Sequence, residues 1–309
     1  MAKPKVIQLY RFNSSRSILD LFLFEKRAEG RAPRTIQDYE EKINAFFKKF
    51  PYALRSEKDL RHAVLSYFAE EMRSATFNLR RAYLKAFFSF LVREGAIAKN
   101  PIDFPRRKDE GRARAVPEEA LRKLLEACNK KTFAGFRDYC LVLLILDTGT
   151  RPGEALRLKR EDFDFASLEM TIPAEIAKTR RKRTLPLSPV VAKEIKKLLS
   201  LHPPEWRSTP VFCSYDGKEL SERALAHRFK KYSQRIGHEI TPYDLRHTFA
   251  LFSLRNGMSP FALQRILGHA DLSMTKRYLA LTGEDLKREH EKATPIHEVV
   301  RKRVGKVEG

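Results

Sequence analysis

The residues that first suggest chemistry are arginines at predicted helix boundaries. Arg151 follows Thr148-Gly149-Thr150 at the end of an apolar segment, and Pro152 suits the first position of a new helix. An arginine at such a junction can bind a phosphate through two parallel hydrogen bonds, beside the unpaired N–H groups of the helix start. An ion pair with Glu154, three residues further on, is an equally good interpretation of Arg151.

A second candidate is the basic segment from Lys178 to Arg183, in which five of the six residues are Lys or Arg. It separates two segments with strand character, Leu168 to Pro173 and Thr184 to Leu187, so we expect a hairpin with Lys178 at its turn. In so positive a setting, Lys178 is a candidate proton donor near neutral pH. The alternative is a loop that only contacts a DNA backbone. The backbone contacts expected from this segment are Arg180, Arg181 and Lys182.

Three further groups lie later in the chain. Thr241-Pro242 predicts a helix start, which places Tyr243 and Arg246 on one helical face at a spacing of three residues. His269 follows a glycine that interrupts a helical pattern, and Tyr278 lies in a further helical segment. Taken singly, a lone histidine is more often a structural hydrogen-bonding group, and a lone tyrosine on a helix more often packs in a core.

The charge of the chain indicates a polyanionic partner. The 309 residues contain 61 Lys and Arg against 39 Asp and Glu, a net charge of +22, and the excess is spread over both halves. Such a surface attracts nucleic acid. Hydrophobic residues make up 42% of the chain and charged residues 32%, which is typical of a globular protein. The length is sufficient for two domains.

Composition also excludes several classes of protein. The longest apolar run, Cys140 to Leu146, is far shorter than the roughly 20 residues that span a bilayer, so no membrane partner is expected. The three cysteines are too few and too widely spaced for a disulfide framework or a cysteine-based metal site. No signal-peptide-like stretch, P-loop or dinucleotide-binding glycine motif is found. We therefore expect a cytoplasmic protein with no cysteine-based metal site and no nucleotide-type cofactor.

Apolar periodicity predicts a mainly helical fold. Apolar residues recur at three- and four-residue steps in several segments, and Thr35 is the expected N-cap of the second of these. The segment 136–146 is apolar nearly all round and should be a central, buried helix. The helical segments predicted are 14–30, 35–50, 75–94, about 117–128, 136–146, 188–201, 221–236 and from 243 onward.

Residues 100–115 form the predicted linker between two domains. They contain two prolines, a glycine and no apolar periodicity, which argues against a helix or strand. The segment is either an ordinary solvated hinge or a basic strap that lies along a duplex. The residues of such a strap would be Arg106, Arg107, Lys108, Arg112 and Arg114.

In order and spacing, these residues together resemble the tyrosine recombinase (phage-integrase-like) family, close to its Xer-type and simple transposon- or plasmid-integrase members. The resemblance covers nearly the whole chain, because the first hundred residues are similar to the family's core-site-binding domain. The motifs that carry it are Thr-Gly-Thr-Arg-Pro-Gly-Glu at 148–154, the lysine turn followed by Leu-Pro-Leu, Leu-Arg-His-Thr-Phe-Ala at 245–250, and Leu-Gly-His-Ala-Asp-Leu-Ser-Met-Thr-Lys-Arg-Tyr at 267–278.

The resemblance implies a site-specific DNA recombinase that cleaves and rejoins strands through a 3′-phosphotyrosyl intermediate, without metal or ATP. The nucleophile would be Tyr278, and Glu154 would orient Arg151. The catalytic set that the resemblance implies is Arg151, Lys178, Tyr243, Arg246, His269 and Tyr278.

Tyr243 departs from the family pattern, which usually has a histidine three residues before the second arginine. A phenol can donate a hydrogen bond to a phosphate, but with a pKa of about 10 it is a poorer proton acceptor than imidazole. Two alternatives stay open. One is DNA relaxation of the type IB topoisomerase kind, which uses the same set of Arg, Lys, His and Tyr residues. The other is a catalytically silent site-specific DNA-binding protein, in which the departure at Tyr243 marks the loss of activity.

The expected architecture has four parts. An all-helical DNA-binding domain at 14–99 precedes the basic linker at 100–115, and a mostly helical α+β catalytic domain with a small antiparallel sheet follows at 116–290. Residues 291–309 would form a tail that is either frayed or docked on a neighbouring protomer. The resemblance implies a homo-tetramer on two duplexes of a recombination site, and a monomer or dimer in the absence of DNA.

Overall fold

The computed structural model of the protein describes residues 15–108, 115–269, 290, 291 and 296. The chain divides into two units, residues 1–111 and 112–309. The described residues form eleven α-helices and three short strands, so the mainly α fold class with a small sheet is confirmed. None of the described helices combines the length and the apolar composition that crossing a bilayer requires.

Four helices and an aromatic core make up the described part of the N-terminal unit. The helix α2 packs against both α1 and α4. At the centre, the ring of Phe22 meets the rings of Tyr39, Phe87 and Phe90 edge-on, with centroid distances of 5.2, 5.3 and 5.4 Å. Such edge-to-face contacts suit the charge distribution of aromatic rings and fix the helices relative to one another. The helices are α1 (Ser15–Ala28), α2 (Pro33–Lys49), α3 (Glu57–Ala69) and α4 (Ser74–Arg93).

Two helix starts in this unit differ from the sequence prediction. The N-cap of α2 is Ala32, and Pro33 opens the helix, so the expected N-cap at Thr35 is wrong. Proline is favoured in the first turn because its missing N–H is not needed there. The helix α3 is absent from the predicted segments; it begins where the Ser56 side chain accepts a hydrogen bond from the N–H of Asp59.

The segment that follows α4 packs against the same unit. The ring of Phe104 lies 5.2 Å from that of Phe68 and 5.9 Å from that of Phe77. The guanidinium of Arg107 lies 3.9 Å from the centre of the Phe77 ring and donates to the Phe68 carbonyl oxygen at 3.2 Å. The first half of the predicted linker therefore runs along the N-terminal unit as far as Arg107.

The C-terminal unit is organised around α6. This helix is buried along most of its length, as its composition predicts, and α8 and α10 pack against it. The N–H of Val116 donates to Oγ1 of Thr248 at 2.9 Å, which ties the start of the unit to α10. The helices described in this unit are α5 (Glu118–Ala127), α6 (Phe133–Thr148), α7 (Pro152–Ala155), α8 (Pro189–Ser200), α9 (Glu222–Ile236), α10 (Pro242–Arg255) and α11 (Pro260–Leu267).

A three-stranded antiparallel sheet lies between α7 and α8 in the chain, with strand order β1-β2-β3. Met170 of β2 is paired with Phe163 of β1 and with Leu185 of β3. The strands β2 and β3 correspond to the two predicted strands, whereas β1 is two residues long and too short to show a pattern. The strands are β1 (Phe163–Asp164), β2 (Glu169–Ile172) and β3 (Arg183–Pro186).

A buried ionic cluster holds α6 to α9. The carboxylate of Asp138, which has no exposed surface, accepts hydrogen bonds from Arg137 at 2.7 Å, from the Tyr232 hydroxyl at 2.7 Å and from the Arg228 guanidinium. Its two oxygens are thereby satisfied, which a buried carboxylate requires.

The three cysteines are buried free thiols, and burial raises the pKa of Cys128 to about 12.

Candidate active site

The site begins where α6 ends. Gly149 is the C-cap and has a left-handed backbone conformation with φ of 64°, which favours glycine. A Cβ atom there would overlap the ring of Phe249. Arg151 then takes the N-cap position of α7, with Pro152 as the first helical residue. The helix–glycine–helix junction expected from the sequence is present, and it leaves Arg151 only 8% exposed.

Glu154 is the anionic centre of this region and is 1% exposed. Its Oε1 accepts from Nη1 of Arg151 at 3.1 Å and from the backbone N–H of Lys178 at 3.0 Å, and both of its oxygens bind the guanidinium of Arg183. Burial by itself raises the pKa of Glu154. This effect is outweighed by the hydrogen bond and charge of Arg183, by the Lys178 N–H and by the charge of Arg151, so the pKa lies below its ordinary value. The ionised carboxylate orients both guanidinium groups.

Arg246 reaches the same region from α10 and is 4% exposed. A capping box at Thr241 fixes the start of that helix. Its Nη1 donates to the Gly149 carbonyl oxygen at 2.6 Å, and its Nη2 donates to the Leu267 carbonyl oxygen at 2.8 Å. The same Nη2 lies 3.1 Å from Nε2 of His269. Because a guanidinium only donates, the ring nitrogen is the acceptor in this pair.

The turn after α11 brings the two arginines and His269 together. Gly268 is the left-handed C-cap of α11 with φ of 60°, and its carbonyl oxygen accepts from Nη2 of Arg151 at 3.2 Å. The backbone N–H of His269 donates to the Gln264 carbonyl oxygen at 3.1 Å. Arg151, Arg246 and His269 therefore meet at one turn, although they come from three separate segments of the chain.

Lys178 and Tyr243 lie at the rim of this cluster. The Lys178 side chain is exposed, while its backbone is tied to Glu154. Tyr243 is 44% exposed and lies one turn before Arg246. Partial burial raises the pKa of the Tyr243 phenol, and Glu222 raises it further against the opposing charges of Arg151 and Arg246. The phenol is therefore protonated at neutral pH and can donate a hydrogen bond.

The predicted nucleophile, Tyr278, lies outside the described residues. The same is true of Arg112 and Arg114 in the linker and of most of the predicted tail at 291–309. Within the described ranges, no group of three or more His, Cys, Asp or Glu side chains is arranged to hold a metal ion. The predicted DNA contacts that are described and exposed are Arg106, Arg107, Lys108, Arg180, Arg181 and Lys182.

Arg183 belongs to the site, although its sequence context marks it only as the end of the basic turn. Its side chain is 10% exposed and pairs with Glu154. A Cβ atom on Gly268 would lie 3.3 Å from Cδ, Nε and Cζ of Arg183, so the guanidinium rests on that turn. The signal that identifies it is the alternation of Arg183 with Leu185 and Leu187, because alternate residues of a strand point to the same face.

Comparison with known protein families shows the family of the chain. Residues 114–284 match the phage integrase family, and residues 20–95 match the N-terminal SAM-like domain of phage integrases. The chain belongs to the phage integrase family. By that membership it is a tyrosine-type site-specific recombinase, as the sequence resemblance predicted.

Named relatives of this recombinase align over most of its length. The tyrosine recombinase XerA of Pyrococcus furiosus is 28% identical over 291 residues, covering 92% of this chain and 96% of that protein. The tyrosine recombinase XerD of Listeria monocytogenes serotype 4b is 29% identical over 283 residues, covering 86% and 93%.

Solved structures share the fold of the recombinase. The Tn1549 transposon integrase in complex with a circular intermediate DNA has a TM-score of 0.72 at 20% identity, covering 90% of this chain and 99% of that chain. XerH bound to a palindromic difH substrate, in a post-cleavage complex, has a TM-score of 0.65 at 23% identity, covering 94% and 87%. At these identities the likeness concerns the fold, and it agrees with the predicted helical and α+β architecture.

Proposed function

We propose that this recombinase cleaves and rejoins the strands of a double-stranded DNA site through a 3′-phosphotyrosyl intermediate, without metal or ATP. The observation that carries the proposal is the convergence of Arg151, Arg246 and His269 on the turn after α11. Two nearly buried guanidinium groups and an imidazole together form a site for a phosphate anion. The DNA complexes of the Tn1549 integrase and of XerH support duplex DNA as the substrate.

The reaction begins at Tyr278, which we assign as the nucleophile from its place in the family motif. Its phenolic oxygen attacks the scissile phosphorus, the bond from phosphorus to O5′ breaks, and a 3′-phosphotyrosyl link and a free 5′ end form. Attack by a 5′-hydroxyl group from another strand reverses these steps and releases Tyr278. The covalent link conserves the phosphodiester energy, so no ATP is consumed.

Arg151 and Arg246 neutralise the non-bridging oxygens as negative charge grows in the transition state. Their guanidinium groups are already held by Glu154 and by backbone carbonyl oxygens, so little reorganisation is needed when DNA binds. His269 adds a hydrogen bond to the same phosphate. Fixed guanidinium groups supply the positive charge that a metal ion supplies at other phosphoryl-transfer sites.

Lys178 protonates O5′ as it leaves, from the exposed side of the turn between β2 and β3. Tyr243 donates a hydrogen bond to the phosphate. Because its pKa is raised above the ordinary value, the Tyr243 phenol stays protonated at neutral pH and has no basic form available, so we assign the proton lost by Tyr278 to solvent water. Glu154 acts by orienting Arg151.

The two units divide the work of DNA binding. The N-terminal helices, 14–99, bind the core site, the basic segment 100–115 follows the duplex, and residues 116–290 carry the catalytic groups.

Recombination requires a homo-tetramer on two duplexes, assembled from free monomers or dimers, with the tail at 291–309 docked on a neighbour. A lambda integrase dimer bound to a COC′ core site, at a TM-score of 0.68 and 19% identity, is consistent with assembly on DNA. The three free, buried thiols suit a reducing cytoplasm.

A nicked duplex tests the proposed reaction. The target site is first selected from random sequences by binding, and a nick next to the cleavage point then lets the short 5′-hydroxyl fragment diffuse away. We expect a protein–DNA adduct that survives denaturant and forms in a chelator without nucleotide. A silent DNA-binding protein would bind the site and give no adduct. A type IB topoisomerase would relax supercoiled plasmids whether or not they contain the site.

A further inference from the structure

One carboxylate holds both ends of the basic turn between β2 and β3. At the start of the turn, the backbone N–H of Lys178 donates to Oε1 of Glu154 at 3.0 Å. At its end, the guanidinium of Arg183 binds both oxygens of the same carboxylate. Since Glu154 is buried on α7, three residues after Arg151, both ends of the turn are tied to the element that carries the first arginine of the phosphate site.

We propose that Arg183 is a positioning residue that sets the place of Lys178 relative to the scissile phosphate. The inference rests on the proposed function, in which the Lys178 ammonium protonates O5′. Proton transfer requires the donor within hydrogen-bonding distance of the acceptor, and a shift of about 1 Å in a reacting group can cost roughly 100-fold in rate. An exposed lysine on a turn meets that requirement only if the turn itself is held.

The turn has features that make such an anchor necessary. Arg180, within it, has a left-handed backbone with φ of 53°, a conformation that costs a non-glycine residue roughly 1 kcal/mol or more. The N–H of Arg180 donates to the Ala177 carbonyl oxygen at 2.9 Å, which closes a tight turn around Lys178. Contacts at the two ends hold this conformation against relaxation.

Arg183 also links the turn to the rest of the phosphate site. Its guanidinium rests on Gly268, whose carbonyl oxygen accepts from Arg151. Nε of Arg183 is buried without a hydrogen-bond acceptor in the part of the chain that the structure describes, so the ion pair with Glu154 sets the orientation of the group. One side chain thus spans from the base of the Lys178 turn to the turn that carries His269.

Two other roles for Arg183 give different results. A purely structural ion pair would affect stability but not the rate of the folded enzyme. A direct phosphate contact would affect the rate whatever the leaving group. A positioning role through Lys178 affects only the step in which O5′ takes a proton.

DNA with sulfur in place of the 5′-bridging oxygen separates these roles. The thiolate leaves without a proton, because it is far less basic than an alkoxide. Single-turnover adduct formation is measured with the full-length protein for Lys178→Ala, Arg183→Gln and the double variant. On ordinary DNA we expect Arg183→Gln to be about 100-fold slower than the unaltered protein. On the sulfur substrate we expect the rate of Arg183→Gln to be within a few-fold of that of the unaltered protein. Arg183→Lys keeps the charge but not the paired geometry. Its rate on ordinary DNA should lie between those of Arg183→Gln and the unaltered protein.

A matched control removes a guanidinium from another buried carboxylate in the same unit. Arg228→Gln disrupts the Asp138 cluster and should lower stability while the rate of the folded fraction stays unchanged on both substrates. The double variant should be no slower than Lys178→Ala alone.

The inference about Arg183 is overturned if, on the sulfur substrate, Arg183→Gln still forms the adduct slowly while Lys178→Ala regains the rate of the unaltered protein. It is equally overturned if the two losses multiply in the double variant. If sulfur fails to restore Lys178→Ala itself, the proton-donor role in the proposed function fails, and the double variant still decides whether Arg183 acts through Lys178.

Discussion

Arg151 and Arg246 donate hydrogen bonds to the carbonyl oxygens of two consecutive residues, Gly268 and Leu267, at 3.2 and 2.8 Å. Arg151 is the N-cap of α7 and Arg246 lies in α10, and the two residues are 8% and 4% exposed. Placing two nearly buried guanidinium groups against one turn is unfavourable without compensating negative charge, part of which Glu154 supplies to Arg151. The proposed stabilisation of an anionic transition state depends on this pair of guanidinium groups.

The geometry of Arg246 predicts that its positive charge alone is not sufficient for DNA cleavage at the normal rate. Arg246→Lys keeps the positive charge but loses the planar fork that donates to Gly149 and Leu267. We expect adduct formation on the nicked substrate to slow by about 100-fold or more. The affinity for the DNA site, measured at a fixed salt concentration, should change little. A variant that cleaves at the normal rate would mean that Arg246 does not contact the reacting phosphate.

Gly149 predicts a coupling between the end of α6 and the site. Gly149→Ala places a methyl group in a left-handed position and against Phe249 and Leu267, so it should destabilise the protein by about 2–4 kcal/mol and also slow cleavage. Gly237→Ala is the matched control, because Gly237 has φ of 69° and nothing within 4 Å of the added Cβ. It should cost about 1 kcal/mol and leave cleavage unchanged. If denaturant titrations show the same decrease in the free energy of unfolding for the two variants, this coupling is contradicted.

The charge state of Glu154 predicts a pH-dependent contribution to stability. Its pKa in the folded protein lies below the ordinary value of 4.5. The ionised group therefore stabilises the fold fully above that value, and the contribution is lost as pH falls through the lowered pKa. Glu154→Gln should reduce the free energy of unfolding by about 3 kcal/mol at neutral pH, with a gap that narrows on acidification. Glu126→Gln, at an exposed position, is the control and should match the unaltered protein at neutral pH. A difference in unfolding free energy between Glu154→Gln and the unaltered protein that stays constant with pH would count against the ion-pair account.

Exposed arginines of the basic turn predict a salt-dependent contribution to DNA affinity. Arg181→Gln should weaken binding and reduce the slope of log affinity against log salt by about 0.9, the value for one lost phosphate contact. Arg122 is also exposed but pairs with Glu118 on α5, so Arg122→Gln should leave the slope unchanged. An unaltered slope in Arg181→Gln would show that this side of the turn does not contact the DNA backbone.

Much of the fold could be predicted because helix boundaries are set by local chemistry. Gly149 ends α6 and Thr241 starts α10 where the sequence places them. Pro33 moved the start of α2 because a proline at the first position outweighs a threonine two residues later. The strand β1 has two residues and therefore no periodicity.

The candidate site was predictable to the extent that a motif fixes residue types. The contacts between segments were not. The pairing of Glu154 with both the Lys178 backbone and Arg183 depends on where the hairpin folds over α7, which no local pattern encodes. The same holds for Asp138, whose partner Arg228 lies on another helix. Periodicity identifies a buried face but does not identify which charged groups meet on it.

Identification of the residue that carries the DNA tests the central claim most directly. Adduct trapped on the nicked substrate is digested with trypsin, and the DNA-linked peptide is identified by mass spectrometry. We expect the nucleotide on the peptide 278–287, which begins with Tyr278, and no adduct from Tyr278→Phe, whereas Tyr243→Phe should react more slowly but still form it. A nucleotide on the peptide 236–246, which contains Tyr243, or an adduct from Tyr278→Phe, would contradict the account.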